Sequence, residues 1–203
     1  MTLSDKALVT RECILSAATE LFYRNGYHAT GLEKVIRQAE VTKGNFYYHF
    51  SSKEELAIAT LEWQFSRLSE DVEKRILSRN KPPLEKLFLL FDYMVGRQKE
   101  QYREGQICGC YFGNFALEFS TVSSEVRNTV NRIFRNYRRL IKSLLSRAQE
   151  AGQISPELDT ARFAAVILGQ IEGAILLDKA QQQPDNFYHS IRFIKECLVH
   201  NQA

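Results

Sequence analysis

The chain has 203 residues, 44% of them hydrophobic and 25% charged, the composition of an ordinary globular protein and not of a disordered or fibrous one. Ten glycines and four prolines leave too few turns for a many-stranded barrel or sandwich, and a formal charge of +3 is too mild to select a partner. The apolar stretch around Ala164–Ile171 is interrupted by Gln170 and followed by Glu172. It therefore reads as too short for a bilayer, and the first residues lack the apolar run of a signal peptide, so a cytoplasmic chain with no membrane partner is expected.

Helical spacing runs through nearly the whole sequence. Ile14, Ala18, Leu21 and Phe22 form one stripe, ended by Asn25-Gly26, a pair suited to a left-handed helix stop. A second, short helix is predicted from Thr30, where Thr30-x-x-Glu33 has the form of a capping box, to Ala39. A third follows Val41, with Thr42 as N-cap, and reaches about His49. A fourth follows Ser51-Ser52-Lys53-Glu54-Glu55, with Ser51 and Glu54 as a second box, and its stripe extends from Leu56 to Ile76. Pro82-Pro83 breaks the chain, the second proline fitting the first turn of a fifth helix. Further helices are predicted over 109–120, 124–151, 160–182 and 186–200. The expected fold is all-α, about nine helices, with a three-helix helix-turn-helix head over 1–55 and a helical bundle for effector binding and dimerisation over 56–203.

The chemistry concentrates in the head. Two short helices joined by a tight Glu40-Val41 turn have the size of a helix-turn-helix, whose second helix lies in the major groove. Thr42-Lys43-Gly44-Asn45-Phe46-Tyr47-Tyr48-His49 supplies the short donors, flat polar rings and cation that such a helix uses, with Phe46 and Phe50 reading as core. Lys53 stands at the start of the next helix, in reach of a phosphate. The head's charges balance, seven Lys/Arg against seven Asp/Glu over residues 1–60, which a few local cations per subunit are enough to offset at an operator.

The run VIRQAEVTKGNFYYHFSSKEEL, Val35–Leu56, resembles the signature of the tetracycline-repressor (TetR) family. The resemblance covers about a quarter of the chain, roughly residues 9–56, and is specific in GNFYYHFSSKEEL. It implies phosphate contacts at Tyr47, His49 and Lys53, base-edge contacts at Lys43, Gly44, Asn45 and Tyr48, and backbone phosphates anchored at Thr30 and Thr42. It also implies a homodimer on a palindromic stretch of double-stranded DNA, most simply a repressor, released by a small-molecule effector. Two residues depart from the family's form: Glu40 stands at the turn glycine, where a positive φ costs a residue with a Cβ about 1 kcal/mol, and Ile36 stands at an alanine.

In the body, the helix over 160–178 is apolar on nearly all sides, with Ala165, Gly169 and Gly173 every fourth residue. With Ile191, Ile194 and Leu198 of the last helix these small residues are expected to form a dimer seam. The family's small-molecule pocket would draw on Trp63, Phe88, Phe91, Tyr111, Phe115, Tyr137 and Phe163, although aromatic residues at helical spacing serve equally as core. Glu172, a carboxylate on an apolar helix, must be paired, hydrogen-bonded or protonated, through a structural partner or a ligand.

Residues 126–149 carry seven basic residues and no acid, either a solvated face or an attraction for an anionic effector or flanking DNA. Cys108-Gly109-Cys110 precedes the sixth helix, and the surrounding EGQICGCYFGNFALE is similar to a TetR subgroup that contains the N-ethylmaleimide-reductase repressor and acrylate-responsive regulators. There a cysteine at the position of Cys110 senses electrophiles, so Cys110 is either a redox or electrophile switch or inert packing beside a noncovalent ligand. The four cysteines are too scattered for a disulfide framework, and the four histidines form no metal-spaced set. No cofactor, metal or catalytic residue is expected, and no nucleophile–base set points to an enzyme. The remaining alternative is a protein-interaction adaptor that does not bind DNA.

Overall fold

The computed structural model describes residues 3–119 and 121–200. Among them are nine α-helices and no strand: α1 Leu3–Asn25, α2 Leu32–Gln38, α3 Lys43–His49, α4 Lys53–Val72, α5 Pro83–Arg103, α6 Tyr111–Phe119, α7 Ser124–Glu150, α8 Thr160–Gln181 and α9 Asp185–His200. The all-α reading is borne out. One feature lies outside it: α4 continues into a π-helical turn, Glu73–Leu77, in which the Ser78 N–H donates to the Glu73 carbonyl at 2.9 Å.

Local chemistry accounts for most helix ends. Thr42 caps α3 as its sequence suggests, its hydroxyl accepting from the Asn45 N–H at 3.1 Å. Gly26 takes φ 81°, and its N–H closes α1 on the Phe22 carbonyl at 3.0 Å. Two expected boxes change. The one before α4 is shifted by a residue: Ser52 Oγ accepts from the Glu55 N–H at 3.0 Å, and the Glu55 carboxylate reaches back to the Ser51 N–H at 2.7 Å. At α2 no side chain caps the helix. Gly31 is the N-cap, and Thr30 is fully buried, its hydroxyl donating to the Gly26 carbonyl at 2.8 Å.

The chain divides into two compact units, Met1–Leu68 with Tyr111–Arg132 and Ser69–Cys110 with Ile133–Ala203. This differs from the expected division after residue 55, because α6 and the first turns of α7 contribute to the core of the first unit. Four aromatic residues of α6, Tyr111, Phe112, Phe115 and Phe119, are buried there. They meet α1 and the turn after it: the Phe115 ring lies 6.0 Å from Phe22 and the Phe119 ring 4.4 Å from Tyr27. Ile14, Leu15, Phe46, Phe50, Leu56 and Leu61 complete that core, each at most 1% exposed.

The second unit packs α5, α8, α9 and most of α7 around Leu87, Phe91, Ile141, Leu145, Ile167 and Phe187. Ile191, Ile194 and Leu198, expected at a dimer seam, lie inside this core, at most 5% exposed. The apolar stripe of α9 that the sequence shows most clearly is thus its inner face. The fully buried Asp178 accepts from Gln98 Nε2 at 2.7 Å and from the Asn186 and Phe187 N–H groups at 2.8 and 3.0 Å. Those bonds offset the cost of a buried carboxylate and cap the start of α9.

The sequence suggests an interrupted apolar segment too short for a bilayer, but α8 runs unbroken through Gln170 and Glu172, and by length and composition alone it is apolar enough to cross one. Ala165, Val166, Gly169, Gly173, Leu176 and Leu177 form an exposed apolar surface on this helix.

Candidate nucleic-acid interface

The α3 helix is short enough that its seven residues divide cleanly. Phe46 faces inward, fully buried, and Phe50 just beyond the helix is 1% exposed; together they fix the rotation of α3 on the rest of the head. That leaves Thr42, Lys43, Gly44, Asn45, Tyr47 and Tyr48 exposed and His49 half-buried. Tyr48 is 77% and Tyr47 47% exposed, an unusual position for large rings unless they meet a partner. The outward set therefore combines one ammonium, one amide and two phenols on about two turns, the donors that reach base edges and phosphates in a groove.

The turn before α3 carries the strain expected of it. Glu40 takes φ 54°, with its N–H on the Arg37 carbonyl and the Val41 N–H on the Ile36 carbonyl, both at 3.2 Å. This is a Schellman closure that glycine usually makes. His49 is held below the ordinary imidazole pKa by burial and by the nearby Arg11 guanidinium, so at neutral pH its ring is uncharged and its N–H is a neutral donor. Arg11 itself is exposed on α1, over the Phe50 ring at 5.3 Å. It adds a cation beside α3 that the signature does not point to.

Lys53 opens α4, and its ammonium donates to the Tyr27 carbonyl at 2.7 Å while lying 3.9 Å from the Tyr27 ring centroid. Burial lowers its pKa, and the Glu118 carboxylate opposes that shift. Two of its three N–H donors are left over for a phosphate. Glu118, on α6, accepts from the Tyr27 and His28 N–H groups at 3.3 and 3.2 Å. It comes so close to the α1–α2 turn that a Cβ on Gly26 would stand 3.2 Å from its Oε1. Sequence reasoning missed Glu118, since nothing local marks a carboxylate about 90 residues away as the cap of this turn. Thr30, in contrast, spends its hydroxyl on Gly26 and its N–H on the Tyr27 carbonyl, so neither group is left for a phosphate.

Residues expected at a pocket fall in both units. In the first, Tyr111 and Phe115 belong to the aromatic core, the Tyr111 hydroxyl donating to Thr60 Oγ1 at 2.9 Å, and Trp63 lies half-buried under the Arg67 guanidinium at 4.6 Å. In the second, Phe91 is fully buried, while Phe88, Phe163, Cys110, Tyr137 and Glu172 are half-buried. Within that unit, the Cys110 thiol hydrogen-bonds to Glu172, whose pKa burial pushes up to about 7. The Tyr137 phenol is driven well above its usual value by burial and by its closeness to Cys110 and Glu172. Among the described residues no three His, Cys, Asp or Glu groups stand where they would hold a metal ion.

Residues 14–60 match the family described as bacterial regulatory proteins, tetR family, and residues 83–194 match the tetracyclin repressor-like C-terminal domain. The chain belongs to the TetR family. Its similarity to the HTH-type transcriptional repressor DhaR of Mycobacterium sp. (strain GP1) is 28% identity over 93% of this chain and 92% of that one. With the HTH-type transcriptional regulator UidR of Escherichia coli (strain K12) it shares 29%, over 85% and 83% of the two chains. The crystal structure of reduced E. coli NemR superposes with a TM-score of 0.83 at 22% identity, over 92% of this chain and 95% of that one, a likeness of fold. TetR-family proteins are DNA-binding transcriptional regulators that act as dimers and respond to small-molecule ligands, and this chain is such a regulator.

In this TetR-family chain the exposed apolar surface lies on α8 where the sequence suggests, and on α9 on the other face. Of the predicted seam, Ala165, Gly169 and Gly173 are exposed, with no atom within 4 Å of a Cβ built on either glycine. They share α8 with Val166, 57% exposed, and α9 adds Phe193, 63% exposed, and Val199. Periodicity could have found Phe193 and Val199 only if the inner stripe of α9 had been assigned first.

Proposed function

We propose that the chain is a homodimeric repressor that reads a palindromic operator through α3 and leaves it when an effector binds the second unit. The observation that carries this is the outward set of α3 and its N-cap, five exposed polar or aromatic side chains on a helix pinned by Phe46 and Phe50. In this reading Lys43, Gly44, Asn45 and Tyr48 meet base edges, and Tyr47, His49, Lys53 and the amide-rich start of α3 at Thr42 meet phosphates. The exposed faces of α8 and α9 pair with a second copy, which removes the apolar surface of Val166 and Phe193 from water. Two α3 helices then lie about one turn of duplex apart, roughly 34–36 Å. The effector acts only through its different affinity for the DNA-competent and the splayed forms, without turnover, and the protein is cytoplasmic.

The test is selection of duplexes from a random pool by the purified protein. A palindrome is expected; no enrichment would refute operator reading and favour an adaptor. Tyr47→Ala with Lys53→Ala is expected to abolish enrichment and leave the dimer intact.

A second reading of the release step has its own support: the Cys110 thiol is hydrogen-bonded to Glu172, a carboxyl whose pKa burial pushes up to about 7. Here Cys110 is the switch and an electrophile or oxidant the effector. Operator release by N-ethylmaleimide that disappears in Cys110→Ser supports it; release that persists in that variant rejects it.

A further inference from the structure

Several helices of this chain carry acid–base pairs one turn apart. Glu20–Arg24 on α1, Asp71–Arg75 in α4, Lys81–Glu85 at the start of α5 and Arg192–Glu196 on α9 all pair at 3.6 Å or less. The α7 helix breaks this habit. From Val126 to Gln149 it has seven cations and no acid. Arg135, Arg138, Arg139 and Lys142 fall within about 100° of arc at 100° per residue, all exposed, and Asn128 and Asn131 share that arc. On this helix Arg132 pairs with Glu62 of α4, and Arg139 donates to Asn136 at 3.0 Å. Like charges one turn apart, as at Arg135/Arg139 and Arg138/Lys142, destabilise a free helix by a few tenths of a kcal/mol each. A face of exposed like charges is one to which an anion is drawn.

The shape of the face decides which anion. A single exposed helix surface is convex and offers no cradle for a small carboxylate or phosphate. A polyanion needs no cradle, only a line of charge. From Arg135 to Lys142 the helix is about 10 Å long, the length of duplex axis that carries about six phosphates. The head's charges balance and one Lys53 donor is committed to the Tyr27 carbonyl, so a line of cations on the body would add to its sequence-neutral hold on DNA.

We propose that the exposed face of α7 from Arg135 to Lys142 is a second and sequence-neutral contact for the phosphate backbone of duplex DNA, apart from the base-reading residues of α3. The inference rests on the reading of the chain as a DNA-binding regulator. It assigns much of the non-specific affinity, and of its salt dependence, to the body.

The test uses the full-length protein and two duplexes, the selected palindrome and a scrambled duplex of about 60 base pairs, with affinity measured across salt concentration. The variant Arg135→Gln/Arg138→Gln/Lys142→Gln removes three charges and keeps good helix formers. A control, Lys74→Gln/Arg79→Gln/Arg103→Gln, removes three exposed charges elsewhere. In the α7 variant the slope of log affinity against log salt on the scrambled duplex is expected to shrink by about 2–3 per subunit, about 0.9 for each phosphate that is no longer neutralised. Affinity at low salt should fall at least tenfold, with the same palindrome still enriched and the control variant close to wild type.

An unchanged slope with the palindrome still bound overturns the proposal and leaves the operator reading standing. An equal loss in the control overturns it as well, since net charge would then suffice. Loss of poly-glutamate binding with the DNA slope intact overturns it in favour of an acidic protein partner. Failure of the wild type on both duplexes overturns it together with the operator reading.

Discussion

Replacing Glu118 with alanine removes the acceptor of the Tyr27 and His28 N–H groups. A hydrogen bond to a charged group is worth about 1.5–3 kcal/mol at good geometry. These two, at 3.3 and 3.2 Å, lie at the long end of the range and one is exposed, so about 1 kcal/mol each is the reasonable figure. The α1–α2 turn should then open locally with about 2 kcal/mol less resistance, roughly 30-fold faster hydrogen exchange at those two amides. Because the chain forms two compact units, exchange read residue by residue is a better assay than a global melt. Glu118→Gln keeps an acceptor oxygen and should give an intermediate change. The same substitution removes the charge that opposes the burial shift of Lys53, so the lysine pKa should fall further. Exchange at Tyr27 and His28 within twofold of wild type in Glu118→Ala would refute the role of this carboxylate as the cap of the turn.

Other outcomes follow from the same geometry. Glu40→Gly relieves a left-handed conformation at φ 54° and should raise the stability of the head by about 0.5–1 kcal/mol, the relief being partly offset by the entropy of glycine in the unfolded chain; denaturant titration with a head-specific probe reads it. Lys53→Met should reduce the salt slope on the operator by about 1 per subunit without changing the selected palindrome. Val166→Asp, at the exposed face of α8, should lower the association of two copies by at least tenfold in sedimentation, with the helical content unchanged. For Glu172 the folded pKa of about 7 lies above its ordinary 4.5. The folded state therefore holds the proton more tightly, and stability is lost as the pH rises from the lower value through the higher. Glu172→Gln removes that loss and should gain about 2–3 kcal/mol at pH 8 with little change at pH 4, seen as a pH-dependent difference between two thermal melts.

The parts of this fold legible in the sequence are those set by neighbours in the chain. Phe46 and Phe50 as core, Thr42 as the cap of α3, Gly26 as a helix stop and the strained Glu40 turn follow from side chains and backbone within a few residues. Local pattern alone goes wrong where two local solutions compete. Ser51 and Ser52 are equally able to cap, and the structure uses the second. Thr30 has the form of a cap, yet its hydroxyl is drawn inward to the Gly26 carbonyl. On α9 the apolar stripe is visible, but a helix with two apolar faces does not say which is the inner one, so Ile191, Ile194 and Leu198 read as a seam while Phe193 stands outside. The clasp of Glu118 and the bond of Cys110 to Glu172 join residues far apart in sequence, and no spacing announces them.

The discontinuous build of the two units bears on how the protein is made. The first unit has all its residues once synthesis reaches Arg132, while the second closes only with the 71 that follow, Ile133 to Ala203. At ribosomal rates of about 5–20 residues per second, the interval is about 4–14 s. Throughout it a nascent chain can carry a finished recognition helix while α8 and α9 are still to come. The segment Ser69–Cys110 meanwhile waits without its partners, with Leu87 and Phe91 open to water. That segment is where chaperones should be found on the growing chain, and where a translational pause after Arg132 would do the most harm.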